Sequence, residues 1–186
     1  MLAFIRGWYY NIGDVRVNLG ENADPRNFQK EGGKEMSLLL AGKESRKFDQ
    51  VNRIALPTCF RKEIGETAIL MKSVHKEPCL LLFTEQGWED FSYAFIYSFD
   101  DPIKRAKAQR RLADRVEKVT IDKSGRISIK DDFKAYAFLT DEAYFVGMMD
   151  RVEIWNAENW DAVNSDDDDD EDFFSGINYS APRRTE

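Results

Sequence analysis

Two five-residue stretches carry the most distinctive chemistry in the chain: Asp122-Lys123-Ser124-Gly125-Arg126 and Asp49-Gln50-Val51-Asn52-Arg53. In the first of these, Gly125 permits the positive φ that a tight loop needs, and Asp122 can accept hydrogen bonds from neighbouring amides. Asn52 stands where the other stretch has glycine, and asparagine is one of the few residues that tolerates the left-handed region. Asp49 and Asp122 therefore read as residues that structure their loops. A turn has no need of arginine, yet Arg53 and Arg126 occupy the same place in both stretches. Arg126 and Lys123 are expected to project from one end of a rigid hairpin.

Other chemistry is poorly represented. His75 is the single histidine, with no second histidine to chelate a metal and no glycine-flanked nucleophile beside it. Cys59 and Cys79 lack zinc-type spacing, and in a reducing compartment they read as small buried hydrophobes. There is no phosphate-binding loop or dinucleotide fingerprint, and the carboxylates show no paired arrangement. The sequence thus predicts no enzyme, no catalytic residue, no metal, no cofactor and no small-molecule substrate.

The elements that must position the two stretches repeat as well. Phe48 to Leu56 aligns with Ile121 to Ile129 at an offset of 73, which also superposes Phe60 on Phe133. Leu80-Leu81-Leu82-Phe83 followed by Trp88 aligns with Val152-Glu153-Ile154-Trp155 followed by Trp160 at an offset of 72. Each unit reads as strand, tight loop, strand, short helix, a strand pair and a closing helix. In the second unit the apolar alternation of Val119 and Ile121, then Ile127 and Ile129, predicts a hairpin. Lys130 to Leu139 reads as a short helix, 144–147 and 151–155 as strands, and Asn156 as an N-cap. In the first unit Pro57 opens a helix that Gly65 ends. Between the units, Asp101-Pro102 starts a basic linking helix. Phe91, Tyr93, Phe95 and Tyr97 read as core or subunit contact.

The two ends depart from this pattern. The net charge of −7 is concentrated in residues 166–186, with two Lys/Arg against eight Asp/Glu, and the run Asp166 to Asp172 reads as a self-repelling, disordered tail. The remainder is nearly neutral, leaving basic residues free to cluster. No apolar run is long enough to span a bilayer and no signal peptide is recognisable, so a cytoplasmic protein is expected. Glu31 to Met36 can be encoded by a purine-rich ribosome-binding site followed by a start codon, which makes Met36 a candidate initiator. The expected organisation is an extension over 1–35, a first repeat over 36–91, a linking helical segment over 92–117, a second repeat over 118–164 and a tail over 165–186.

From about Met36 to Val163 the chain resembles the MraZ family of bacterial transcriptional regulators, related to AbrB-type swapped-hairpin proteins. The second half carries the resemblance in Ile121 to Ile129, Asp150 to Trp155 and Trp160. The first half carries it in Gly42, Asp49 to Arg53, Ile54, Leu56, Pro57, Phe60, Arg61, Cys79 to Phe83 and Trp88. The resemblance implies an α+β, mostly β fold: a double-split β-barrel built from two AbrB-like repeats with short helices. It also implies a ring-shaped homo-oligomer that binds direct repeats in double-stranded promoter DNA upstream of its own division and cell-wall gene cluster. Both loops lack the lysine of the family's Asp-x-Lys-Gly-Arg pattern, and the first lacks its glycine too.

Arginine bonds phosphate oxygens or guanine edges with two parallel donors, and a hairpin end is narrow enough for a major groove. Arg126 leads the DNA-binding set and Arg53 follows, with Gly125 and Asn52 shaping the loops. Lys123, Lys43, Arg46 and Lys47 would hold phosphates. The competing readings are a nonspecific nucleoid-associated DNA-binding protein, a single-repeat type of antitoxin and a non-catalytic structural oligomer.

Overall fold

The computed structural model describes the backbone of 9–12 and 15–18, and residues 40–75 and 77–164. Strands β1 (Tyr9–Ile12) and β2 (Val15–Asn18) pair with each other antiparallel. Met36 and the acidic run Asp166 to Asp172 lie outside the described residues.

The first repeat comprises β3 (Leu40–Lys47), β4 (Arg53–Ala55), α1 (Thr58–Ile64), β5 (Thr67–Lys72), β6 (Leu80–Phe83) and α2 (Glu85–Tyr97). Helix α3 (Pro102–Ala113) links it to β7 (Val116–Thr120), β8 (Arg126–Ser128), α4 (Asp131–Tyr136), β9 (Glu142–Met149), β10 (Val152–Trp155) and α5 (Ala157–Val163). The expected boundary between 91 and 92 falls inside α2, which Thr84 caps by accepting a hydrogen bond from the Gly87 amide. Asp101 caps α3 and Asn156 caps α5 in the same way, satisfying amides that have no partner within the helix.

The repeats exchange strands. The main sheet runs β3-β9-β10-β6-β5-β7, all antiparallel, so each repeat's first strand pairs with the other repeat's third-position strand. A separate two-stranded sheet joins β4 to β8, with Ile54 opposite Ile127. The hairpin reading of residues 119–129 holds only at its tip, where the Asp122 amide donates to the Arg126 carbonyl at 2.9 Å; beyond it β7 and β8 take their ladders from β5 and β4. Period-two alternation fixes which side chains face the core and leaves the partner strand open.

Alternation does decide the core. Ala68, Leu70, Leu80, Leu82, Phe145 and Ile154 face one side of the main sheet, where Ile54 and Ile127 of the small sheet join them. The small sheet thereby packs over that face of the main sheet. Ile69, Met71, Leu81 and Phe83 face the other side and pack against Phe91 of α2 and Leu112 of α3. Both faces of β6 are buried, which explains its unbroken apolar run. Phe91 and Phe95 belong to this second layer, whereas Tyr93 and Tyr97 are exposed and lie against each other with their rings tilted by 34°.

Candidate nucleic-acid interface

Both loops are built alike. In the second, Asp122 Oδ1 accepts from the Ser124 and Arg126 amides at 2.8 and 2.9 Å, and Gly125 has φ +73°. In the first, Asp49 Oδ1 accepts from the Val51 and Arg53 amides at 3.0 and 2.9 Å, and Asn52 has φ +59°. The amide of Arg126 beside Asp122, and that of Arg53 beside Asp49, are the leading causes that hold both carboxyls below the usual carboxylate range. Each aspartate thus bonds two amides of its own loop.

The arginines do more than project. Arg126 Nε donates to Asp122 Oδ2 at 3.0 Å, and its Nη1 lies 3.6 Å from Asp49 Oδ2. Arg53 donates from Nε and Nη2 to Asp49 Oδ2, both at 2.8 Å, and its Nη1 lies 3.8 Å from Asp122 Oδ2. Two arginines and two aspartates, two from each repeat, therefore form one cross-paired cluster that fixes the loops against each other. Arg53 is bound the more completely, since two of its nitrogens bond one carboxylate oxygen.

The other expected cations are dispersed. Lys123 is exposed beside Ser124 on the second loop, and Lys47 is exposed just ahead of the first. Arg46 pairs with Glu44, so part of its charge is met inside the protein. Lys43 is directed elsewhere, with Nζ 4.1 Å from the centre of the Tyr144 ring and 4.7 Å from that of Trp160. Two cations outside the expected set approach the loops from helices. The Arg61 guanidinium lies against Gly125, and Lys134 Nζ donates to Asn52 Oδ1 at 2.9 Å. The repeat offset of 73 superposes these two positions, which is the signal by which the sequence identifies them.

Cys79 is buried, and burial pushes its thiol up to about 12, so it stays protonated. Cys59 departs from the expected burial: it is exposed, with Sγ 3.3 Å from Glu44 Oε1. His75 lines a cavity of about 300 Å³ with Arg151, Glu153, Trp155 and Trp160, in which the loop residues take no part. Among the described residues no group of three or more His, Cys, Asp or Glu is arranged to hold a metal, and no helix is long and apolar enough to cross a membrane.

Two equivalent units that exchange strands and meet at a pair of arginine-bearing loops define a tandem, strand-swapped repeat protein. Comparison with known families gives that class a name: the chain matches the MraZ protein family, described as antitoxin-like, over residues 39–110 and again over 114–176. Relatives called transcriptional regulator MraZ include one from Thermoanaerobacter sp., 32% identical over 70% of this chain and 90% of its own length. Another, from Caldicellulosiruptor saccharolyticus, is 33% identical over 69% of this chain and 89% of its own. A third, from Acetivibrio thermocellus, is 30% identical over 69% and 89%. The chain belongs to the MraZ family.

Proposed function

We propose that the chain is a sequence-specific DNA-binding transcriptional regulator that recognises direct repeats upstream of its own gene cluster as a ring oligomer, in the cytoplasm and on the nucleoid. The observation that carries this reading is the cross-paired loop cluster, which presents two arginine loops at a fixed mutual geometry. The names of the relatives support regulation of transcription. Arg126 is the leading base contact, because only its Nε makes a short bond to an aspartate and Nη2 is left to face a guanine edge. Arg53 is the second contact, with Asn52 and Gly125 shaping the two loops. Lys123 and Lys47 hold phosphates beside them, and Arg46 and Lys43 are more distant contributors. One loop pair with so few charges binds weakly. A ring would present several pairs to several DNA repeats and raise avidity by about 10² to 10⁴.

The test is fluorescence anisotropy of the full chain with its own upstream duplex and a scrambled duplex across a salt series. Tighter, steeply salt-dependent binding to the upstream duplex is expected, with that preference lost in Arg126→Ala. Equal affinity for both duplexes would leave a nonspecific nucleoid-associated protein. No binding at any salt would leave a structural oligomer.

A further inference from the structure

The cross-paired cluster of Asp49, Arg53, Asp122 and Arg126 holds two negative and two positive charges. It therefore contributes no net attraction for a polyanion, and the charge that draws phosphate to this end of the molecule must lie outside it. Arg61 is placed to supply it. Its Nε donates to the Leu56 carbonyl at 2.6 Å, a neutral partner, and among the described residues no carboxylate pairs with it. Its guanidinium lies flat against the buried backbone of Gly125: a Cβ added there would overlap Cζ and sit 2.6 Å from Nε. The glycine thus serves two purposes, a left-handed loop and a bare floor on which an arginine from the other repeat rests. With Nε held and Nη1 also lying over Gly125, the two terminal nitrogens have no acceptor among the described residues and are open to an outside one.

The equivalent place in the first repeat's loop is closed. Asn52 replaces the glycine, and its amide bridges two residues of α4, donating to Asp131 Oδ1 at 3.0 Å and accepting from Lys134 Nζ. Lys134 also lies 4.2 Å from the centre of the Phe48 ring. The counterpart of Arg61 is thereby turned inward to the protein. The tip of the first loop matches this loss, with Gln50 and a 61% exposed Val51 where the second has Lys123 and Ser124.

We infer that Arg61 is a phosphate contact of the second loop, delivered across the repeat boundary, and that Asn52 withdraws Lys134 from the same role at the first. This rests on the reading that the loops face duplex DNA, and it assigns the two loops unequal shares. A phosphate fits better than a base edge, because Arg61 lies along the base of the loop while Lys123 and Ser124 form its tip.

The experiment compares Arg61→Gln, Arg61→Lys, Lys134→Gln, Asn52→Gly and Asn52→Gly/Lys134→Gln by anisotropy on the upstream and scrambled duplexes across the same salt series. Arg61→Gln is expected to weaken both duplexes alike, by about tenfold, and to reduce the salt slope by about one. Arg61→Lys keeps the charge and should keep the slope, with a smaller loss of affinity. That slope decides the matter should Arg61→Gln melt early, because a purely structural arginine would give no charge-dependent slope. Lys134→Gln should bind within twofold of the unaltered chain, yet cost affinity once Asn52→Gly has released the lysine. Unchanged binding by Arg61→Gln while the unaltered chain binds DNA would overturn the inference and leave the functional reading intact. A loss confined to the upstream duplex would overturn the phosphate assignment. No DNA binding by the unaltered chain would remove both.

Discussion

Asp49 and Asp122 each bond two loop amides and at least one guanidinium, contacts that only the ionised carboxylate makes in full. Both therefore titrate below the usual carboxylate range. A carboxyl whose native pKa lies below its unfolded value favours the native state at all pH above that unfolded value, and the contribution fades as pH falls through the lowered pKa. Asp122→Asn keeps the shape and loses the charge. The unaltered chain should accordingly be the more stable of the two at neutral pH, with the gap narrowing as pH drops below about 4. Urea unfolding of both proteins from about pH 7 to pH 3 would show this, and a gap independent of pH would mean that ionisation of Asp122 is not coupled to folding. At this scale the form of the two candidate loops was legible: Asp49, Asp122, Gly125 and Asn52 stand out by type and spacing, and Arg53 and Arg126 by their recurrence at the offset of 73. The cross-pairing was not, because nothing in a local motif states that two loops 73 residues apart share their counter-ions.

At the scale of elements, the strand and helix assignments follow from periodicity and caps, while the strand partners do not. Val119 and Ile127 alternate correctly for the core, yet their strands pair across repeats, β7 with β5 and β8 with β4. Lys43 illustrates the same limit, since only the β3–β9 pairing brings it over Tyr144. That pairing depends on Gly147, which stands opposite Gly42 in the register. A Cβ at 147 would collide with the Leu40 carbonyl and sit 2.6 Å from the Ala41 nitrogen, and backbone cannot rotate aside as a side chain can. Gly147→Ala should lower stability by about 2–3 kcal/mol through forced separation of β3 from β9. Gly42 has open space around it but φ +110°, so Gly42→Ala is penalised by backbone strain instead. Urea midpoints of the two variants would measure both effects. A stability for Gly147→Ala within about 0.5 kcal/mol of the unaltered chain would show that β3 is not held where the ladder places it.

For the whole molecule, strand exchange means that neither repeat owns a complete sheet. Residues 40–98 contain β3 without β9, β4 without β8, and β5 without β7; residues 114–164 have the complementary deficits. Each half alone would expose the apolar face that now forms the shared core, where Ile54 meets Ile127 and Leu82 lies beside Val152. The chain should therefore behave as one cooperative unit despite its internal repetition. Cutting it in the turn between α2 and α3, after residue 99, tests this directly. Neither fragment is expected to form a folded monomer by circular dichroism and analytical ultracentrifugation, and mixing them should restore a folded one-to-one complex. A single fragment has one alternative, pairing with a second copy of itself, because the repeats are equivalent at β3 and β7 and at β4 and β8. Such a species would still be a dimer and would satisfy the same requirement for exchanged strands. A stable, folded monomer of either fragment would contradict the exchange. It would also imply that the loops can be held in place without the cross-paired cluster that joins them in the intact chain.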